Sequence, residues 1–245
     1  MVFLPEAADY IAESREESAA LAQGRGGSTV AALGALASRC GVWLSVGGLH
    51  LRGEGGRSTN THLVIDREGV VVASYDKAHL FDVCIPGKVS LRESDYVEPG
   101  TCLPPPVATP MGLLGLGVCY DLRFPEHSLA LRRAGAQVLT FPSAFTPTTG
   151  QAHWETLLRA RAIETQSYVV AAAQVGRHNS KRSSYGHAMV VDPWGAVVAQ
   201  CGEGVGLALA RVDLEYLARI RGEMPVMEQR RPELYGQVGE PLCNV

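Results

Sequence analysis

The chain has 245 residues, enough for one large α/β domain or two small ones with a substantial core. With 46% hydrophobic and 19% charged residues and a formal net charge of −3, it carries no basic footprint for nucleic acid or anionic membrane. No apolar run approaches the roughly 20 residues of a membrane helix.

In chain order, Met1-Val-Phe-Leu-Pro5 reads as the tail of a buried strand running into a loop, and residues 9–23 are helix-compatible though weakly periodic. After a loop at 24–27, Ser28 is placed as the capping residue of an amphipathic helix over 30–39, with Gly41 as its stop. Residues 43–49 read as a strand, and 61–65 and 70–75 as two strands joined by the hairpin-type turn Asp66-Arg-Glu-Gly69. The stretch 79–106 is Pro/Gly-punctuated and long enough to predict a functional loop region. A strand to 118 then leads into a helix over 125–134, a strand at 137–141, a strong helix at 153–165 and a strand at 167–173. Residues 188–192 and 196–200 flank Pro193-Trp-Gly195 as a hairpin, 206–212 reads as a strand and 214–220 as a short helix. Strands separated by helices, with hairpins interspersed, predict two mixed sheets with helices outside, an α-β-β-α sandwich.

Six cysteines (Cys40, Cys84, Cys102, Cys119, Cys201, Cys243) form no C-x-x-C pair, so neither a zinc site nor a disulfide framework is expected, and free thiols in a reducing, cytoplasmic setting fit them better. The sequence starts with neither a signal peptide nor a basic amphipathic presequence, so a mitochondrial form needs a different N-terminus.

Cys119 stands apart from the other five. It ends the apolar, Gly-spaced run Leu113-Leu-Gly-Leu-Gly-Val118, and the polar Tyr120-Asp-Leu-Arg-Phe-Pro-Glu126 follows at once. A thiol at a strand end beside a turn into a helix is where open α/β sheets place reactive groups, although most free cysteines simply fill core. Gly115-Leu-Gly117 lacks the third glycine and downstream acid of a dinucleotide fingerprint, so no cofactor is expected there.

A cysteine nucleophile needs a base and an oxyanion donor. None of the seven histidines has a spacing that marks it as partner, and His127 reads as a surface or half-buried helix residue. Glu6 and Lys77 each follow an apolar strand, so three reactive side chains terminate strands. Three such ends from one sheet layer are expected to converge at one edge, with Glu6 taking the thiol proton and the Lys77 ammonium holding an oxyanion. Trp154 reads as core or interface, Arg159, Arg161 and Glu164 as helix-face ion pairs, and Phe145 and Thr146 as pocket wall.

Phe3-Leu-Pro-Glu6, Tyr75-Asp-Lys-Ala-His-Leu80 and Gly117-Val-Cys-Tyr-Asp-Leu-Arg-Phe-Pro-Glu126 resemble, in order, the three signature motifs of the nitrilase superfamily. The block from Ala152 to Gln166, Ser184-Tyr-Gly-His-Ala-Met-Val-Val-Asp-Pro-Trp-Gly195 and Arg230-Arg-Pro-Glu-Leu-Tyr235 resemble its Nit branch. The resemblance covers essentially the whole chain. It implies a single carbon–nitrogen hydrolase domain over 1–245, missing the strand and long helix that normally precede the first motif. It also implies a cofactor-independent, metal-free thiol amidase, with Glu6 as base, Lys77 stabilising the intermediate and Cys119 as nucleophile. Glu93, in Leu91-Arg-Glu-Ser94, matches a second glutamate beside these three, and the Tyr120 N–H is expected to face the oxyanion. Val170-Ala-Ala-Ala-Gln-Val-Gly-Arg-His178 resembles branch members acting on deaminated glutathione more than those acting on α-ketoglutaramate. The partners implied are a small amide substrate and a second copy of the chain, with no nucleic acid or membrane. A catalytically silent interaction protein is the competing reading.

Overall fold

The computed structural model describes residues 1–53, 55–87 and 89–237. Its elements run β1 (Val2–Leu4), α1 (Arg15–Leu21), α2 (Ser28–Cys40), β2 (Leu44–Arg52), β3 (Ser58–Ile65), β4 (Val71–Asp76), β5 (Asp82–Ile85), β6 (Val89–Arg92) and β7 (Val97–Glu98). The second half holds β8 (Val107–Thr109), β9 (Gly112–Leu116), α3 (Pro125–Arg133), β10 (Val138–Thr140), α4 (Pro147–Thr165), β11 (Tyr168–Ala171), β12 (Val175–Arg177), β13 (Ser183–Tyr185), β14 (Met189–Val191), β15 (Val197–Gln200), α5 (Leu214–Glu223) and α6 (Pro232–Tyr235).

These elements form the expected α-β-β-α sandwich. One sheet has the order β1-β2-β3-β4 with β7 beside β3, and the other the order β15-β14-β11-β10-β9-β8. Strands β9, β10 and β11 are parallel, joined through α3 and α4, as a βαβ crossover requires. Their side chains are apolar on both faces because a helix layer covers one and the other sheet covers the other. Leu114, Leu116, Val138, Leu139 and Val169 accordingly share one core with Val64 and Tyr75 of the first sheet. A second apolar cluster lies under α2, where Val30 and Ala37 pack on Leu44, Val46, Leu63 and Ile65.

Glycines let the two sheets come close where the site forms. A Cβ on Gly47 would stand 1.9 Å from Pro142 Cβ, and one on Gly48 would stand 2.7 Å from Glu6 Cγ. The β2–β3 register shifts between Val46 and Leu49, and Gly48 adopts φ +65° there, so this glycine pair forms a bulge as well as a gap.

Several sequence expectations are corrected. Helix α1 is shorter than 9–23 because Ser14 caps it, its Oγ accepting from Glu17 N, while residues 10–13 line a cavity. Ser28 is the first residue of α2 rather than its cap, and the Gln23 carboxamide accepts from Thr29 N in that role. Gly41 ends α2 in the left-handed conformation, as expected. Helix α4 begins at Pro147, not near 153, with Thr146 as cap; Gly150 sits inside it because a Cβ there would meet the Tyr185 ring. The stretch 79–106 contains the β5–β6 hairpin, a 3₁₀ turn at Glu93–Asp95 and β7. Residues 206–212 form no strand: no ladder partner lies beside them among the described residues, and Leu207 and Leu209 are 77% and 79% exposed. Cys102 is disulfide-bonded, against the expectation of free thiols; Cys40, Cys84, Cys119 and Cys201 are free, and Cys243 lies outside the described residues.

Candidate active site

Glu6, Lys77, Glu93 and Cys119 come together at one end of the sandwich, and all four are buried. Glu6 lies two residues past β1, Lys77 directly follows β4, and Cys119 opens a 3₁₀ turn three residues past β9. Strands β1 and β4 belong to one sheet and β9 to the other, so the reactive ends do not come from a single layer as expected. They meet across the gap that Gly47 and Gly48 leave open.

The end of β10 joins the two halves. Its Pro142 carbonyl accepts from Cys119 N at 2.9 Å, and two residues on Ala144 N donates to Glu6 Oε2 at 2.9 Å. Gln174, beyond β11, donates to both the Glu6 and Ala7 carbonyls at 3.0 Å, pinning the backbone of the carboxylate. Cys119 itself adopts φ +46°, a left-handed conformation that costs a non-glycine residue on the order of 1–3 kcal/mol and marks a position over-determined by its surroundings.

Lys77 Nζ donates to Glu6 Oε1 at 3.0 Å and to Glu93 Oε2 at 2.8 Å. Glu93 also accepts from Phe81 N at 2.7 Å, so it is a buried, fully engaged carboxylate rather than a solvated loop residue. Asn60 bridges the pair: its Nδ2 donates to Glu6 Oε1 at 2.9 Å and to Glu93 Oε1 at 3.1 Å. Burial alone pushes the Glu6 carboxyl up, but the Lys77 charge and hydrogen bonds from Cys119, Lys77 and Asn60 outweigh it and hold Glu6 below the usual range. Burial pushes the Cys119 thiol well up, and the Glu6 charge adds to this beyond what Lys77 opposes. Burial disfavours the Lys77 charge, yet Glu6 and Glu93 raise its pKa well above the ordinary lysine value. The resting site therefore holds a neutral thiol hydrogen-bonded to an ionised carboxylate, with an ammonium shared between two carboxylates.

Behind these groups Asp121 ties the Cys119 turn to the strand that precedes Lys77. Its Oδ2 accepts from Tyr75 OH at 2.8 Å and Val118 N at 2.9 Å, while Oδ1 accepts from His79 N at 3.1 Å and faces His79 Nδ1 at 2.7 Å. Candidate ligand atoms of His79, Asp121 and His127 lie within 4.8 Å of one another, the one described group with the geometry to hold a metal. Protein partners already engage them, since His127 Nε2 meets the Leu116 carbonyl at 2.9 Å. His127 is buried beneath the turn and not at the surface, because Gly117 opens space against its ring.

A cavity of about 610 Å³ opens onto Cys119, and Tyr120, Phe145 and Thr146 are among the residues that line it. Tyr120 stacks edge-on against Phe81 and Phe124, and Phe145 packs on Trp154, whose Nε1 donates to the His187 carbonyl within the core. Arg123 lies over the Tyr120 and Phe145 rings at 5.7 and 5.3 Å. Arg159 pairs with Glu155, and Arg161 with Glu164, on α4. His50 and His178 line the cavity, but their ring nitrogens meet Asp9 and Ser184.

Sequence reasoning missed Asn60, Gln174 and Arg123. The signal for Asn60 was the polar run Ser58-Thr-Asn60 just before the strand read over 61–65, which is nevertheless buried in β3. Arg123 stands inside the Cys119 motif, where an arginine one turn past a thiol is a ready anion contact.

The Carbon-nitrogen hydrolase family profile matches residues 1–222. Deaminated glutathione amidase of Bos taurus is 56% identical over 246 aligned residues, covering 99% of this chain and 75% of that protein. The crystal structure of the Caenorhabditis elegans NitFhit protein superposes with a TM-score of 0.93 at 54% identity, covering 100% of this chain and 60% of that one. Saccharomyces cerevisiae Nit3, a member of branch 10 of the nitrilase superfamily, superposes with a TM-score of 0.82 at 31% identity, over 94% of this chain and 83% of its own.

Proposed function

Because the chain belongs to the carbon–nitrogen hydrolase family, and to its nitrilase superfamily, we propose that it is a thiol amidase that cleaves deaminated glutathione into 2-oxoglutarate and cysteinylglycine. The substrate follows from the likeness to deaminated glutathione amidases over nearly the whole chain. One observation carries the chemistry: the Glu6 carboxylate is hydrogen-bonded at once to the Cys119 thiol and to the Lys77 ammonium.

In this reading Glu6 takes the thiol proton as the sulfur attacks the amide carbonyl. The C–S bond forms, the carbonyl π pair moves to oxygen, and Lys77 with the Tyr120 N–H holds that oxyanion while the lysine keeps its proton. The tetrahedral adduct collapses, the C–N bond breaks, and the proton on Glu6 passes to the departing amine. Water then gives a proton to Glu6 and its oxygen attacks the thioester. The second adduct expels the Cys119 sulfur, which recovers that proton from Glu6, and the acid leaves and gives its remaining proton to solvent to become a carboxylate. Glu93 holds Lys77 in line and keeps it charged throughout. Arg123, a cation in the cavity with no carboxylate partner among the described residues, suits the carboxylate of the 2-oxo acid end.

The test combines trapping with product analysis. Intact mass spectrometry during turnover is expected to find an acyl adduct mapping to Cys119, and hydroxylamine to divert it to a hydroxamate. Cysteinylglycine is the expected released amine. Hydrolysis that persists in Cys119→Ala refutes the thiol mechanism. A higher kcat/KM for α-ketoglutaramate, with ammonia as the released amine, replaces the substrate reading with the alternative.

A further inference from the structure

We propose that Arg182 anchors a carboxylate carried by the leaving amine, which makes the site selective for amides whose released amine is itself an acid, such as a short peptide. The inference rests on the amidase reading above and adds a binding determinant on the side of the scissile bond away from Arg123.

Besides Lys77, which Glu6 and Glu93 hold, five cations border the cavity: Arg15, Arg92, Arg123, Lys181 and Arg182. Three have partners or lie in water. Arg15 and Arg92 share Asp95, and Lys181 is exposed with its ammonium on the Glu13 carbonyl. Arg123 and Arg182 are half-buried; their guanidinium groups meet His153 Nδ1 and Tyr96 OH, and neither forms an ion pair among the described residues. A partly desolvated guanidinium without an anion is unfavourable unless something supplies one, and its planar fork matches a carboxylate.

Arg182 is also held in place before any ligand arrives. Its Nη2 donates to Tyr96 OH at 3.1 Å, which leaves further guanidinium donors for a ligand. The tip of the β12–β13 hairpin that carries it is locked. Asn179 Oδ1 accepts from Lys181 N and Arg182 N at 3.0 and 2.9 Å, and Asn179 Nδ2 donates to the Ile11 carbonyl at 3.1 Å. Ser180 N donates to Glu13 Oε1 at 3.1 Å, so the hairpin tip and the segment before α1 form one wall. Such preorganisation lowers the ordering cost of binding.

The two unpaired cations sit on different walls. Arg123 belongs to the turn that Cys119 opens and lies over Phe145, just before the cap of α4. Arg182 reaches Tyr96, whose N–H donates to the Glu93 carbonyl at 3.1 Å, so it stands beyond the Glu93 side of the site. A substrate carbonyl seated at Cys119 thus has one cation toward each end. A volume of about 610 Å³ falls among sites that enclose drug-sized ligands, roughly 300–1,000 Å³, and a primary amide that loses only ammonia leaves the Arg182 end unfilled.

The experiment compares three substrates sharing one acyl group in the full-length protein: deaminated glutathione, its C-terminal carboxamide, and α-ketoglutaramate. For the wild type, replacing the terminal carboxylate by carboxamide is expected to lower kcat/KM by roughly tenfold or more, chiefly through KM. In Arg182→Gln the acid and the carboxamide converge, so the ratio between them collapses by the same factor. Arg182→Lys retains part of it, because charge remains but the fork is lost. Turnover of α-ketoglutaramate by each variant reports that the fold and the triad are intact. A loss equal on all three substrates refutes a leaving-group role for Arg182, as does a wild type indifferent to the terminal carboxylate. A wild type that prefers α-ketoglutaramate overturns the substrate reading and the anchor together, whereas peptide selectivity that survives Arg182→Gln overturns the anchor alone.

Discussion

Replacing Asn60 by alanine removes one amide donor from each of two buried carboxylates and leaves every other partner of those groups in place. Glu6 keeps Lys77 at 3.0 Å and Ala144 N at 2.9 Å, and Glu93 keeps Lys77 at 2.8 Å and Phe81 N at 2.7 Å. A hydrogen bond to a charged group is worth roughly 1.5–3 kcal/mol, and one pKa unit corresponds to about 1.4 kcal/mol. Loss of the 2.9 Å bond that favours ionised Glu6 therefore costs the ionised form roughly 1.5–3 kcal/mol and raises its pKa. In the proposed mechanism Glu6 is ionised when it takes the thiol proton, so the acid limb of kcat/KM moves up in pH. The sign is fixed: a depressed carboxylate contributes stability above its unfolded pKa and loses it as pH falls through the folded value, and Asn60→Ala shifts that loss to higher pH. The assay is a pH–kcat/KM profile of wild type, Asn60→Ala and Asn60→Ser, with urea unfolding beside it. An acid limb that stays put while the rate falls refutes the reasoning and leaves Asn60 as packing only.

Two further predictions concern the contact between the sheets. His62 is fully buried between Ser45 Oγ at 2.7 Å and the Gly117 carbonyl at 3.1 Å, and burial pushes its pKa down to about 4. Its neutral form then contributes stability that is full above the unfolded value near 6.5 and is lost as pH falls toward about 4, some 3 kcal/mol in all; urea unfolding from pH 7 to 4 is expected to show a slope that His62→Gln flattens by that amount. Gly47→Ala sets a Cβ 1.9 Å from Pro142 Cβ, whose residue accepts the Cys119 N–H, so it is expected to destabilise by about 1–3 kcal/mol or more and to lower kcat more than KM changes. Unchanged unfolding and kcat in that variant would show that the sheets have room to separate.

Local pattern carried much of the fold. Helix α2 with its Gly41 stop, the β3–β4 hairpin at Asp66–Gly69, and the β9-α3-β10-α4-β11 alternation follow from apolar spacing and turn chemistry that depend on neighbouring residues alone. Pattern failed where side chains face the site instead of a core. The sequence pattern starts strand β3 only at 61, because Ser58, Thr59 and Asn60 are polar, yet they are buried in it. Residues 206–212 show the reverse error: apolar alternation predicts a strand, but a strand exists only where a ladder partner lies beside it.

The sequence by itself determined which groups stand where the chain leaves a strand: Glu6 after Phe3-Leu-Pro5, Lys77 after Ser74-Tyr-Asp76 and Cys119 after Leu116-Gly-Val118. Those positions are local, because side-chain period and turn residues set strand ends. Only the tertiary structure decided that the three ends come from two facing sheets. It also decided that Asn60 bridges Glu6 and Glu93, and that Arg182 looks into the same cavity from a hairpin more than 60 residues past Cys119. The hydrogen bond from Ala144 N to Glu6 spans 138 residues of chain, and no periodicity encodes a contact at that distance. It arises because Gly47 and Gly48 lack side chains where the sheets press together, and close packing then leaves the carboxylate a single place to go.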